Sequence, residues 1–335
     1  MLTPDDTYRI AALWIGRLGD FLIATPFLHA LRVRFPQARI TVVVGERGRE
    51  AAALCPDVDE ILVVRKAVHL LDNIDLASRL AREPHDLLVD LNSSFSRASC
   101  ALAWCADARV KLAFRKRSGN GVFTETIPAP ADTEHMLDRY ARLAAAVGAP
   151  FEPRLRVQVP QAEAEAGRLA LQRVLGETDA RVVLIHPGNF KKFDNRWPED
   201  KFVALTERLL ALRDVAPVYL AGPGEEERVR AMAARLQPPV PWLPPMSLGA
   251  LAGALREAEL LVVNATGTAH LASALEVPTL SFLSGYTKAV WMPKAGPHHC
   301  VVSASWESCR DISVDAAWEA LTAALARPRP AKSDR

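Results

Sequence analysis

Near residue 15 and again near residue 265, a short apolar run enters a turn of glycine and small polar residues that opens a helix. In the first, Ile10, Ala11, Ala12, Leu13, Trp14 and Ile15 lead into Gly16-Arg17-Leu18-Gly19-Asp20, after which Phe21, Leu22, Thr25, Leu28 and Leu31 recur at helical spacing. In the second, Leu260-Leu261-Val262-Val263 runs into Asn264-Ala265-Thr266-Gly267-Thr268-Ala269-His270, and Leu271, Ala274 and Leu275 mark a helix face. Such a unit puts the free N–H groups of a helix start at the carboxyl end of a parallel strand. That is where doubly wound sheets bind ligands, anions above all.

The rest of the chain repeats the theme. Residues 9–15, 39–44, 60–64, 86–91 and 109–114 read as strands, with helices over 20–35, 47–54, 68–82, 94–105 and 133–147. A proline-rich stretch from Gly148 to Pro160 then breaks the pattern and reads as a connection. Beyond it come strands at 182–186, 217–221, 259–263 and 279–283, and helices over 163–175, 198–212, 225–236, 248–256, 267–274 and 314–326. The strands are continuous apolar runs, as parallel sheets buried on both faces require. The expectation is an α/β chain of two doubly wound, Rossmann-like parallel-sheet domains, residues 1–155 and 156–327, facing a central cleft. The proline-rich, polar tail 328–335 is expected to be disordered.

Of the 335 residues half are apolar, 24% are charged, and the formal net charge is +2. No apolar stretch nears the roughly 20 residues of a membrane span, and Met1-Leu2-Thr3-Pro4-Asp5-Asp6 lacks the features of a signal peptide, so the chain is expected in the cytoplasm. Neither the charge nor any aromatic platform points to nucleic acid. The five cysteines (55, 100, 105, 300 and 309) are odd in number without CxxC spacing, and read as small buried hydrophobes or idle thiols. Asp57-Val58-Asp59 reads as turn chemistry rather than a metal site, and no metal is expected.

A nicotinamide enzyme is a natural candidate for such sheets. However, the first turn lacks G-x-G-x-x-G spacing, the strand after it carries no acidic residue until Glu46, and there is no P-loop.

Five blocks together resemble glycosyltransferase family 9, which contains the heptosyltransferases of lipopolysaccharide core assembly. They are Gly19-Asp20 through Ala24-Thr25-Pro26 to Leu31; His186-Pro187-Gly188 with Arg196-Trp197-Pro198 and Phe202; Gly222-Pro223-Gly224-Glu225-Glu226; Pro245-Met246-Ser247-Leu248; and Thr266-Gly267 with His270-Leu271. The resemblance implies a GT-B fold, with acceptor bound mainly by the N-terminal domain and a nucleotide-sugar, usually ADP-heptose, by the C-terminal one. It also implies metal-independent inversion at the anomeric carbon with an aspartate as base, and no cofactor beyond the nucleotide-sugar co-substrate.

That chemistry asks for a base to take the acceptor's hydroxyl proton and for donors to hold the leaving diphosphate. Asp20 fits the first task, behind glycines that leave room for a sugar; capping its helix is the other use of such an aspartate. Gly16, Arg17 and Gly19 of the same turn are assigned to the acceptor. The N–H groups of Gly267, Thr268 and Ala269 with the Thr266 hydroxyl suit the diphosphate. Lys191 and Lys192 would add positive charge unless they are merely solvated, and His270 faces either the diphosphate or the sheet. The resemblance implies that Glu225 or Glu226 binds ribose and Met246 covers the base; otherwise the glutamates read as an acidic first helical turn and Met246 as core.

Two positions depart from the family. Ala265 stands where an aspartate is common, and Asn195 where a lysine is common. Either Lys191, Lys192 or Arg196 substitutes, or the donor is held differently, or the sugar differs. On the acceptor side, Arg115, Lys116 and Arg117 form a basic loop suited to phosphates or acid sugars of a lipid-linked or glycan acceptor and to the anionic inner membrane surface nearby. The alternatives are a nucleotide-sugar-binding protein with weakened catalysis, from another functional class, and a transferase of the same family with a different donor or a protein acceptor.

Overall fold

The computed structural model describes residues 3, 8–16, 18–65, 73–188 and 195–326. The chain forms two compact units, residues 1–158 and 159–335.

In the first unit, β1 (Arg9–Trp14), β2 (Arg39–Gly45), β3 (Glu60–Val64), β4 (His85–Asp90), β5 (Ala108–Phe114) and β6 (Glu125–Ile127) make one sheet in the order β3-β2-β1-β4-β5-β6, every pair parallel. Between them run α1 (Leu18–Arg34), α2 (Arg49–Ala53), α3 (Ile74–Arg82) and α4 (Arg97–Cys105), and α5 (Met136–Ala146) follows β6. Consecutive residues Ile10 to Leu13 are fully buried, which is why β1 is apolar without alternation. Strand order reverses between β1 and β4, so a crevice opens at their carboxyl ends, beside the turn to α1 and the loop after Asp90.

Pro26 lies inside α1. It has no N–H for the Leu22 carbonyl, and the Thr25 hydroxyl donates to that carbonyl instead, at 2.7 Å. Thr25 Oγ1 in turn accepts the Arg156 N–H at 3.0 Å, tying the proline-rich segment to α1.

The second unit carries β7 (Arg181–His186), β8 (Val215–Leu220), β9 (Trp242–Leu243), β10 (Leu260–Asn264), β11 (Thr279–Leu283) and β12 (His298–Val302), all parallel, in the order β12-β11-β10-β7-β8-β9. Its helices are α6 (Gln161–Leu175), α7 (Glu199–Leu210), α8 (Glu226–Ala234), α9 (Leu248–Glu257), α10 (Gly267–Ala274), α11 (Gly285–Trp291) and α12 (Val314–Leu325). Here the order reverses between β7 and β10. Trp197 anchors the core, its ring 4.0 Å from that of Phe282 and 4.9 Å from that of Phe202.

Helices α6 and α9 touch backbone to backbone. A Cβ at Gly167 would lie 1.7 Å from the Ala250 carbonyl oxygen, and one at Gly253 2.0 Å from that of Ala164. Only glycine permits that approach.

The sequence pattern misses β6, β9, β12 and α11. The first two are edge strands of three and two residues, too short to show a period, and β12 contains two histidines that dilute its apolar signal. Part of the helix expected over 68–82 and the tail 328–335 lie outside the described residues. No helix among the described residues is long and apolar enough to cross a membrane.

Candidate functional site

In the first unit, Gly19 and Asp20 sit half-buried in the first turn of α1, with Gly16 half-buried in the turn before it. Arg17 lies outside the described residues. A Cβ at Gly16 would come within 2.5 Å of the Trp14 indole, so the turn closes over that ring only with glycine. Behind the turn, Tyr140 on α5 is fully buried and its hydroxyl has no hydrogen-bond partner among the described residues. Burial above all, and then the Asp20 charge, raise its pKa.

The loop at the end of β5 requires a correction. Arg115 and Arg117 are exposed, but Lys116 is not part of a solvated basic cluster. Its ammonium is paired with Asp90 at the end of β4, both side chains fully buried, and lies 5.2 Å from the Phe123 ring. The other Asp90 oxygen accepts the Asn92 backbone N–H at 3.0 Å and its side-chain amide at 2.7 Å, and that amide reaches Ser99 Oγ at 3.0 Å. Lys116 N–H donates to Asn120 Oδ1 at 2.8 Å, and Asn120 Nδ2 returns a bond to the Lys116 carbonyl at 2.7 Å. Lys116 therefore anchors its loop and is spent on Asp90. Sequence reasoning missed Asp90 because a lone aspartate ending an apolar strand gives no sign of its partner 26 residues on.

In the second unit, the switch point between β7 and β10 gathers most of the predicted donor residues. Fully buried Asn264 ends β10 and fastens the neighbouring loop: its Oδ1 accepts the Trp197 N–H at 2.8 Å, and its Nδ2 donates to the carbonyls of Pro187 and Gly188 at 3.0 and 3.2 Å. Next along the chain, Thr266 is the N-cap of α10, yet its side chain caps nothing. Its hydroxyl is buried without a hydrogen-bond partner among the described residues. Gly267 is half-buried, while Thr268, Ala269 and His270 are buried in the first turn. A buried hydroxyl left open beside a helix start suits an anion that brings its own acceptor oxygens.

Glu225 lies across the same edge of the sheet. Its Oε2 takes the Gly222 N–H at 2.9 Å and faces His186 Nε2 at 3.2 Å. A Cβ at Gly188 would lie 2.5 Å from that nitrogen and 2.9 Å from the carboxylate oxygen, so the glycine makes room for the contact. Glu226 is the first residue of α8, and half-buried Met246 precedes Ser247, the N-cap of α9.

Arg196 is turned from open solvent, with only 13% of its side chain exposed and Nη1 3.7 Å from Glu199 Oε1. Burial lowers its pKa, against the raising effect of Glu199. Lys191 and Lys192 fall outside the described residues. Asp57 and Asp59 are engaged inside the fold, Asp57 with His29 at 3.2 Å and Asp59 with Arg32 and the Ile40 N–H at 2.6 and 2.7 Å.

Two six-stranded parallel sheets, each with helix starts and polar side chains gathered at its switch point, define an α/β protein of the GT-B type. The model of glycosyltransferase family 9 (heptosyltransferase) matches residues 74–321, and the chain belongs to that family; it is a glycosyltransferase. A Haemophilus influenzae protein named as a candidate glycosyltransferase is 24% identical over 285 residues, 82% of each chain. The family 9 glycosyl transferase of Veillonella parvula superposes with a TM-score of 0.83 at 20% identity, over 95% of this chain and 97% of that one. The Escherichia coli ADP-heptose LPS heptosyltransferase II does so with a TM-score of 0.80 at 19% identity, over 95% and 98%.

Proposed function

We propose that this glycosyltransferase moves a sugar, heptose from ADP-heptose, onto a lipopolysaccharide-core or other cell-envelope glycan, inverting the anomeric centre without a metal and using Asp20 as general base. The observation that carries the donor half is the Thr266 hydroxyl, buried at the start of α10 without a hydrogen-bond partner among the described residues. With the N–H groups of Gly267, Thr268 and Ala269 it would hold the diphosphate and take up charge as the bond to the sugar breaks. His270, Arg196 and the Lys191–Lys192 loop are assigned to the same anion, Glu225 or Glu226 to the ribose, and Met246 to the adenine.

Asp20 stands at the matching switch point of the other unit, where its carboxylate would accept the acceptor hydroxyl's proton as that oxygen attacks opposite the leaving diphosphate. Arg115 and Arg117, exposed on a loop anchored by Lys116, would meet acidic groups of the acceptor. The working place is the cytoplasmic side of the inner membrane, with transient contact to its anionic surface.

Ala265 favours a second reading, a family 9 transferase with another donor sugar. A metal-free calorimetric and thermal-shift screen of ADP, ADP-heptose, UDP, GDP and their common sugar conjugates separates the two. Selective stabilisation by ADP-heptose supports the first reading, and preference for another conjugate replaces the donor.

A further inference from the structure

Trp306 is half exposed, at 50%, on a loop braced by its own hydrogen bonds. Ser303 Oγ and the Ala304 N–H both bond to Asp311, at 3.0 Å for the latter; the Ser305 N–H bonds to Ser303 Oγ at 2.8 Å, and the Ser308 N–H to Ser305 Oγ at 3.1 Å. The far end of the loop is fixed to the switch-point segment: Trp197 Nε1 donates to the Ile312 carbonyl at 2.9 Å, and Cys309 Sγ approaches the Asn195 carbonyl at 3.4 Å. The loop therefore runs from the end of β12 past β11, where Cys309 Sγ approaches the Phe282 carbonyl at 3.7 Å, to the segment that leads into α7.

One face of the Trp306 indole rests on the start of α11. A Cβ at Gly285 would lie 2.7 Å from indole Cε3, and the N–H groups of Gly285 and Tyr286 donate to the carbonyls of Ser305 and Trp306 at 3.0 and 2.9 Å. Tyr286 braces the ring in a T-shaped contact, centroids 6.1 Å apart. Exposed Glu307 and Arg310 lie on the same loop.

We propose that Trp306, seated on Gly285 and braced by Tyr286, is the stacking platform for the transferred sugar of the donor. The inference rests on the donor reading above, in which α10 holds the diphosphate. That helix follows β10, and α11, on which the indole rests, follows the neighbouring strand β11, so the two helix starts are neighbours on one edge of the sheet, the side on which a sugar joined to the diphosphate would meet the indole. The negative face of an indole attracts the polarised C–H groups along one side of a sugar ring. Planar polar groups such as those of Glu307 and Arg310 suit pairs of vicinal hydroxyls. The backbone bonds hold the ring before the ligand arrives, so little order is lost on binding.

The test compares affinities of a nucleoside diphosphate and its sugar conjugate, first ADP and ADP-heptose, for the full chain and for Trp306→Ala and Trp306→Phe. The expected result is an unchanged affinity for ADP in all three proteins, with the preference for ADP-heptose over ADP falling about tenfold in Trp306→Ala and largely kept in Trp306→Phe, since about 1.4 kcal/mol corresponds to a factor of ten. Because Trp306 is half exposed, the unchanged ADP affinity also reports an intact fold. An unchanged preference in Trp306→Ala, or an equal loss of ADP and ADP-heptose, overturns the platform while leaving the donor site standing. If the full chain prefers another nucleotide and its conjugate, the same ratio is read with that pair; if it binds none of ADP, UDP or GDP, the donor reading fails and the platform with it.

Discussion

Lys116 and Asp90 form an ion pair in which neither side chain meets solvent. Removing one member leaves the other charged in a site that cannot hydrate it. Lys116→Met is therefore expected to destabilise the first unit by about 3 to 5 kcal/mol, and the double variant Asp90→Leu with Lys116→Met to recover a large part of that loss. Urea unfolding followed by a probe in the first unit measures both, and additive losses in the double variant would contradict the pairing.

Thr266 offers a separable effect. Because its buried hydroxyl has no hydrogen-bond partner among the described residues, Thr266→Val is expected to remove a desolvated group without breaking a bond. We predict that thermal stability without ligand stays equal or rises, while affinity for the nucleoside diphosphate falls about tenfold, the worth of a hydrogen bond to a charged group at roughly 1.5 kcal/mol. Calorimetry beside a melting curve reads the two together. Equal affinity in the variant would remove the hydroxyl from the anion site.

The fold and most of its helix starts were readable because buried parallel strands advertise themselves as continuous apolar runs, as at Ile10 to Leu13 and Leu260 to Val263. The switch-point turns followed from their glycines. What the sequence hid was pairing at a distance. Nothing local links Asp90 to Lys116, His186 to Glu225, or Asn264 to the Pro187 and Gly188 carbonyls, and a basic triplet at 115–117 looks uniform although its middle member points into the protein. Trp306 gave no periodic signal at all, and its setting depends on Gly285 two elements earlier.

His298 sets an acid limit on stability. Its ring is hydrogen-bonded to Thr279 and Ser273 at 2.7 and 3.0 Å, and burial first of all pushes its pKa down to about 4 from the ordinary 6.5. The unfolded chain takes up this proton near pH 6.5, whereas the fold resists until about 4. Stability from this group is thus full above pH 6.5 and lost as pH falls towards 4, at up to about 1.4 kcal/mol per pH unit. His298→Asn should flatten that slope, leaving a share from His85, whose pKa burial also lowers. Denaturant midpoints collected from pH 7 to 4 check it, and an identical slope in the variant would contradict the assignment.

The central claim is base-assisted transfer from a nucleotide-sugar with Asp20 as the base. The measurement that tests it most directly follows ADP-heptose turnover on a heptose-deficient envelope glycolipid, without divalent metal, for the full chain and Asp20→Asn, with donor affinity measured in parallel. In Asp20→Asn, donor affinity is expected within about twofold of the full chain's and turnover lower by about 10² to 10⁴, the usual share of a positioned general base. Transfer at an undiminished rate by Asp20→Asn would contradict it.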